Sequence, residues 1–156
     1  MEKISDKILS TKLIDKTDNY ILQRSEIYIN GKATSSIVVG AVLEASVKIN
    51  EFYLVFMTDD IPNEDMLHIY LFDQNMHSLD SVTIGSPYAT GSFSSLELVE
   101  PNAVKFNFIG STKWTVRVFD KKQLHIPFLS DPKGVSRKMY FNCYLKVYGL
   151  PIPESV

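Results

Sequence analysis

The sequence predicts an all-β protein of about ten strands with little helix, an antiparallel β-sandwich or jelly-roll-like fold, or a barrel. Three observations carry that prediction. Ala41, Leu43, Ala45, Val47 and Ile49 alternate with Val42, Glu44, Ser46 and Lys48, and Met139, Phe141, Cys143, Leu145 and Val147 alternate with Tyr140, Asn142, Tyr144, Lys146 and Tyr148. A repeat of two is that of a strand with one buried face. Residues 52–57 and 66–72 are instead apolar at almost every position, as central strands covered on both sides require. No stretch carries the 3.6-residue repeat of an amphipathic helix of ordinary length.

Taken in order, residues 1–18 mix Lys3, Lys7, Lys12 and Lys16 with Glu2, Asp6, Asp15 and Asp18 around Ile4, Ile8, Leu9 and Leu13. They read as a short helical turn or as a loosely held N-terminal segment. Residues 20–22 and 27–29 are short strands, the second closed by Asn30-Gly31, a pair that tolerates the positive φ angles of a hairpin turn. Residues 33–36 read as loop before a strand at 37–39. Strands at 41–49 and 52–57 flank Asn50-Glu51, and the acidic turn 58–65 leads to the strand at 66–72. A turn at 73–78 precedes the strand at 79–84, and a small-residue loop at 85–92 precedes the strand at 93–99. Val104, Phe106 and Phe108 then pair about Gly110-Ser111 with Trp114, Val116 and Val118. Pro127 makes 124–129 an edge strand or an extended connection. The final strand spans 139–147, and 149–156, with Pro151 and Pro153, is an irregular tail. Nothing divides the chain, so 1–156 is expected to be a single β domain.

With 156 residues a chain can bury a full core without metal or disulfide. The single cysteine, Cys143, excludes an internal disulfide and falls on the inward face of its strand. No apolar run reaches the length of a membrane helix, and the first residues lack the pattern of a secretory signal, so a cytoplasmic protein without membrane contact is expected.

The net charge of −2 conceals a segregation. No lysine or arginine lies between Lys48 and Lys105, a stretch containing Glu51, Asp59, Asp60, Glu64, Asp65, Asp73, Asp80, Glu97 and Glu100. From Lys105 to Lys146, Asp120 and Asp131 are the only acids against nine cations. The spread cations and the pI of 5.9 argue against nucleic acid as partner. Surface zones of one sign would instead steer a charged protein.

The leading expectation is therefore a non-enzymatic binding domain that engages another protein, with homo-oligomerisation a further option. Its contacts would be Asp59, Asp60, Glu64 and Asp65 in the acidic turn, and Tyr140, Tyr144 and Tyr148 along one face of the last strand, because tyrosine gives large contact area at low entropic cost. In general character, small, mildly acidic and without a catalytic constellation, the chain is similar to bacterial immunity or inhibitor proteins that neutralise a toxin. One alternative is a carbohydrate or small-ligand module using Tyr88 and Phe93 at the 85–95 loop. The other is a metal-dependent hydrolase built on the 59–65 turn with His68, carboxylates being the donors hard cations prefer. The turn lacks the spacing of a calcium loop, and His68, His77 and His125 stand in no metal-binding motif. His68, in an apolar strand, reads as a hydrogen-bonded core or interface histidine. The 85–95 loop lacks the ending of a phosphate loop. No catalytic residue, metal ligand or cofactor is assigned.

Overall fold

Phe52–Thr58 and Leu67–Phe72 form the two innermost strands of the largest sheet, and each buries both of its faces. The computed structural model describes residues 1–14, 22–61, 64–86, 91–126, 130–138 and 141–149. Among these it places thirteen strands and no helix: β1 (Glu2–Lys3), β2 (Leu9–Leu13), β3 (Arg24–Ile29), β4 (Lys32–Val39), β5 (Val42–Ile49), β6 (Phe52–Thr58), β7 (Leu67–Phe72), β8 (Ser78–Ile84), β9 (Ser94–Val99), β10 (Ala103–Asn107), β11 (Lys113–Leu124), β12 (Val135–Ser136) and β13 (Asn142–Tyr148). They build three antiparallel sheets, of order β1-β5-β6-β7-β8-β12, β13-β11-β10-β9 and β2-β3-β4. The arrangement is sandwich-like and not a closed barrel.

The six-stranded sheet is the middle layer. Leu54, Phe56, Leu67, Ile69 and Leu71 face the four-stranded sheet and pack with Val104, Phe106, Trp114, Val116 and Leu145. Val55, Met57 and Phe72 face the three-stranded sheet and pack with Leu9, Ile27 and Val38. This is why β6 and β7 are apolar at nearly every position while β11 and β13 alternate. In β5 the register shifts between Leu43 and Ala45. Leu43 consequently packs on the second core, while Ala45, Val47 and Ile49 serve the first.

Several elements depart from expectation. Residues 2–3 and 9–13 are neither helical nor loose but pair with β5 and β3. Residues 33–36, expected as loop, lie inside β4, where Thr34 Oγ1 donates to Ile27 O at 2.6 Å and Ser35 N donates to Glu26 Oε2 at 3.1 Å. The strand expected at 20–22 falls mostly outside the described residues, and Leu22 itself is not in a strand. Strand β11 runs on to Leu124. The Asn30-Gly31 hairpin forms as expected, with φ of 50° and 78°.

The chain passes from the three-stranded to the six-stranded sheet at Gly40, whose φ of 135° suits glycine. A Cβ there would sit 2.5 Å from Met57 Cβ. At the opposite side, a carboxylate ties the middle layer to the four-stranded sheet. Asp80 of β8 shares a face with Val82 and Ile84, and its Oδ2 accepts from the backbone N–H groups of Tyr144 and Leu145 in β13, both at 2.9 Å. Arg137 Nη1 lies 3.6 Å from the same oxygen. Arg137 also forks onto Asp131 at 2.9 and 3.0 Å, and His125 Nε2 approaches Asp131 at 3.4 Å. Removing one member of a buried charged group costs about 3–5 kcal/mol, so Asp80→Ala should lower the unfolding free energy by about that amount in urea titration. Glu97→Gln, at an exposed ion pair with Lys113, should leave the urea midpoint in place.

Candidate functional site

The three-stranded sheet is narrower than the layer it covers, and an open cleft lies along its β4 edge. Its floor is the even-numbered face of β7, His68, Tyr70 and Phe72, continued by Ser78, Ser81 and Thr83 of β8. Ile37, Val38 and Val39 of β4 form one wall, Leu22 and Lys138 complete the lining, and the cleft measures about 420 Å³. The three rings of β7 follow one another at 6.4 and 6.2 Å between centroids, with planes within 26° and 29° of parallel.

Two polar anchors fix the floor. The Tyr70 hydroxyl donates to Val39 O at 2.8 Å and accepts from Val39 N at 3.0 Å, so it satisfies the edge backbone of β4. Burial pushes the Tyr70 phenol up to about 12, opposed by the Val39 hydrogen bond and reinforced by the nearby charge of Asp59. His68 bridges Asp59 and Thr83, with Nε2 2.8 Å from Asp59 Oδ1 and Nδ1 3.1 Å from Thr83 Oγ1. An ionised carboxylate only accepts, so Nε2 carries the hydrogen, and in the neutral ring Nδ1 is left to accept from the Thr83 hydroxyl. Asp59 Oδ2 is buried with no hydrogen-bond partner among the described residues. Asp60, the next residue, has a φ of 57°, a conformation uncommon outside glycine.

The residues singled out in the sequence scatter. Of the acidic turn, Asp59 is buried at 2% exposure and Asp65 is half-buried, its Oδ1 accepting from Asp59 N at 2.8 Å; Asp60 and Glu64 face solvent. Asp59 is thus removed from any contact surface by the same burial that sets it against His68. In the tyrosine series, Tyr140 lies outside the described residues. Tyr144 is half-buried with its ring 6.3 Å from that of Phe52, and Tyr148 is 47% exposed. Tyr88 also lies outside the described residues. Phe93 turns into the main core, 5.2 Å from Phe56 and 5.4 Å from Phe106 between centroids, so it is no ligand-facing anchor. Cys143 is buried, which pushes its thiol up and away from nucleophilic use.

The two charged stretches meet in places. Glu97 pairs with Lys113 at 2.9 Å, and Asp80 faces Arg137. Lys121, Lys122, Lys133 and Lys138 stay exposed. No group of three or more His, Cys, Asp or Glu side chains among the described residues converges as a metal site would need, which leaves the metal-dependent alternative without a ligand set there. Among the described residues, no helix is long and apolar enough to cross a membrane.

Thr83, Tyr70 and Lys138 were not among the residues singled out. One signal was available for Thr83, since a hairpin folded about the 73–78 turn sets it opposite His68. Comparison with protein-family models, with characterised proteins and with solved structures returned no match.

Because Tyr70 holds its proton more tightly folded than unfolded, its contribution to stability is complete below its ordinary value of 10.0 and is lost as pH rises toward about 12. Ultraviolet titration should show one tyrosine ionising near the upper value, with stability declining across that window. In Tyr70→Phe the late-titrating group should be absent.

Proposed function

We propose that the protein is a small-ligand-binding β-sandwich module whose site is the cleft between β4 and the β7–β8 face. The cleft itself carries this reading: at about 420 Å³ it is the size of ordinary small-molecule sites, which are apolar with a few convergent polar groups. Leu22, Ile37, Val38 and Phe72 offer apolar surface, and Ser78, Ser81, Thr83 and Lys138 offer hydroxyls and one cation. The complementary molecule is compact, with an aliphatic or flat apolar part and an oxygen-rich edge, a description that includes sugars and small hydroxylated acids.

Trp114 is fully buried in the opposite core, with Nε1 donating to Ile109 O at 3.0 Å, so its fluorescence is a poor reporter of this cleft. Thermal shift across a panel of monosaccharides and small organic acids is the better measurement. A ligand present at 100 times its Kd should add about 2.7 kcal/mol of stability, and Ser81→Phe, which fills the cleft, should erase that gain. A panel that moves neither protein would remove this reading.

A second reading, docking to another protein, is favoured by one observation. Leu124, Ile126 and Phe141 are 67%, 45% and 69% exposed. Their backbones meet at the end of the β11–β13 ladder: Leu124 pairs with Asn142, and one step on His125 N donates to Phe141 O at 2.7 Å, so that Leu124 and Phe141 emerge on alternate sides of that end. Lys121 and Lys122 of the same strand are exposed beside them, so the complementary partner surface is apolar with acidic flanks. Phe141→Asp should abolish cross-linking to such a partner in extracts of the source cells; cross-links of undiminished yield would count against docking here.

A further inference from the structure

We infer that Thr83 is a nucleophile activated by His68 and that the cleft hydrolyses small acyl esters; this rests on the reading of the cleft as a small-ligand site. Three observations converge on it. Thr83 and His68 both line the cleft, and the Thr83 Oγ1 lies 3.1 Å from His68 Nδ1, so an ester bound there would lie against this pair. The far side of the ring is held by Asp59 at 2.8 Å, which fixes both the ring orientation and the tautomer. The second carboxylate oxygen of Asp59 is buried and bonded to no donor among the described residues.

A carboxylate with a purely structural part to play would have both oxygens satisfied, because a buried unpaired acceptor is costly. Here the unshared charge sits beside the ring that must become cationic during reaction. The geometry is that of hydroxyl, imidazole and carboxylate in line, recognised by roles and not by order in the chain. Asp59 acts through His68 and is a positioning residue. Lys138 is the one cation of the cleft lining, and a cation in such a cleft favours an ester whose carbonyl oxygen gains negative charge in reaction.

Thr83 Oγ1 attacks the ester carbonyl while its proton passes to His68 Nδ1, and the imidazolium is held by Asp59. Collapse of the tetrahedral intermediate breaks the bond to the leaving alcohol, which takes the proton from Nδ1, leaving Thr83 acylated. Water then adds to the acyl group as its proton passes to His68 Nδ1; collapse of this second tetrahedral intermediate breaks the bond to Thr83 Oγ1, which takes the proton back from Nδ1, and the carboxylic acid is released.

The test uses the full chain and p-nitrophenyl acetate, read by release of p-nitrophenolate and by peptide mass mapping of the acetyl group. The expected result is acetyl on Thr83, with Thr83→Ser retaining it and Thr83→Val, a change of hydroxyl to methyl at similar volume, lacking it. His68→Gln should slow acetylation of Thr83 by about 100-fold or more, the usual worth of a general base. Acetyl found on lysines alone, or p-nitrophenolate released equally fast by Thr83→Val, would overturn the inference. If a variant does not fold by circular dichroism, the position of the acetyl group in the unaltered protein decides alone. Thermal shift by the panel above, measured on the same preparation, separates the two ideas: a shift without acetyl on Thr83 keeps the binding cleft and ends the nucleophile, and the absence of both ends both.

Discussion

The Asp80 carboxylate determines how the outer four-stranded sheet sits on the middle one. Two apolar sheet faces attract each other over many registers, since hydrophobic burial has no direction. Asp80 Oδ2 removes that freedom, because it accepts from two successive N–H groups of β13 and lies by Arg137. A one-residue slip would leave a charge buried without partners, an error far larger than the gain from any alternative packing. Arg137 relays the constraint to Asp131, and Asp131 to His125. The links at 80, 131 and 137 therefore connect the edge of the six-stranded sheet with the end of β11, and the ionic pairing is less a source of net stability than of position.

The same middle layer explains where a site can exist. On its β9–β13 side the cover is wide, and Trp114, Phe56 and Phe106 are fully buried beneath it. On its other side three strands cover six, and the floor beyond β4 must change character. Phe72 still belongs to the second core, but His68 and Tyr70 carry polar groups whose partners are supplied locally, by Asp59, Thr83 and Val39. The hydrogen-bonded polar residues occur where apolar cover ends, as the cost of burying unpaired polar groups requires.

Much of this architecture was legible because burial writes a strong pattern. The double-sided runs at 52–57 and 66–72 announced a covered central sheet, and Asn30-Gly31 announced its hairpin. What escaped notice was short, polar or paired through distant partners. Strand β12 has two residues, too few for any periodicity. Residues 33–36 look like loop because their hydroxyls bond backbone instead of packing, and the first strands look loose because their alternating charges hide Leu9, which is fully buried. At the site, His68 was readable as a histidine with partners, but Asp59 was grouped with its acidic neighbours. Only the chain path around the turn separates it from the exposed Asp60 and Glu64 and turns it inward. Phe93 was misplaced for the opposite reason: its loop context suggested exposure, whereas the ring fills a gap between Phe56 and Phe106.

The bond between Tyr70 and Val39 has a consequence for how the molecule behaves in a crowd. Strand β4 is an outer strand of its sheet, and a bare row of amides and carbonyls there would serve as a template for strands of other chains. At Val39 both backbone groups already engage one phenol, and Lys32 charges the other end of the same strand. The edge is thereby blunted at each end against edge-to-edge pairing, at Val39 by a side chain that reaches across from a different layer and at Lys32 by the strand's own charge.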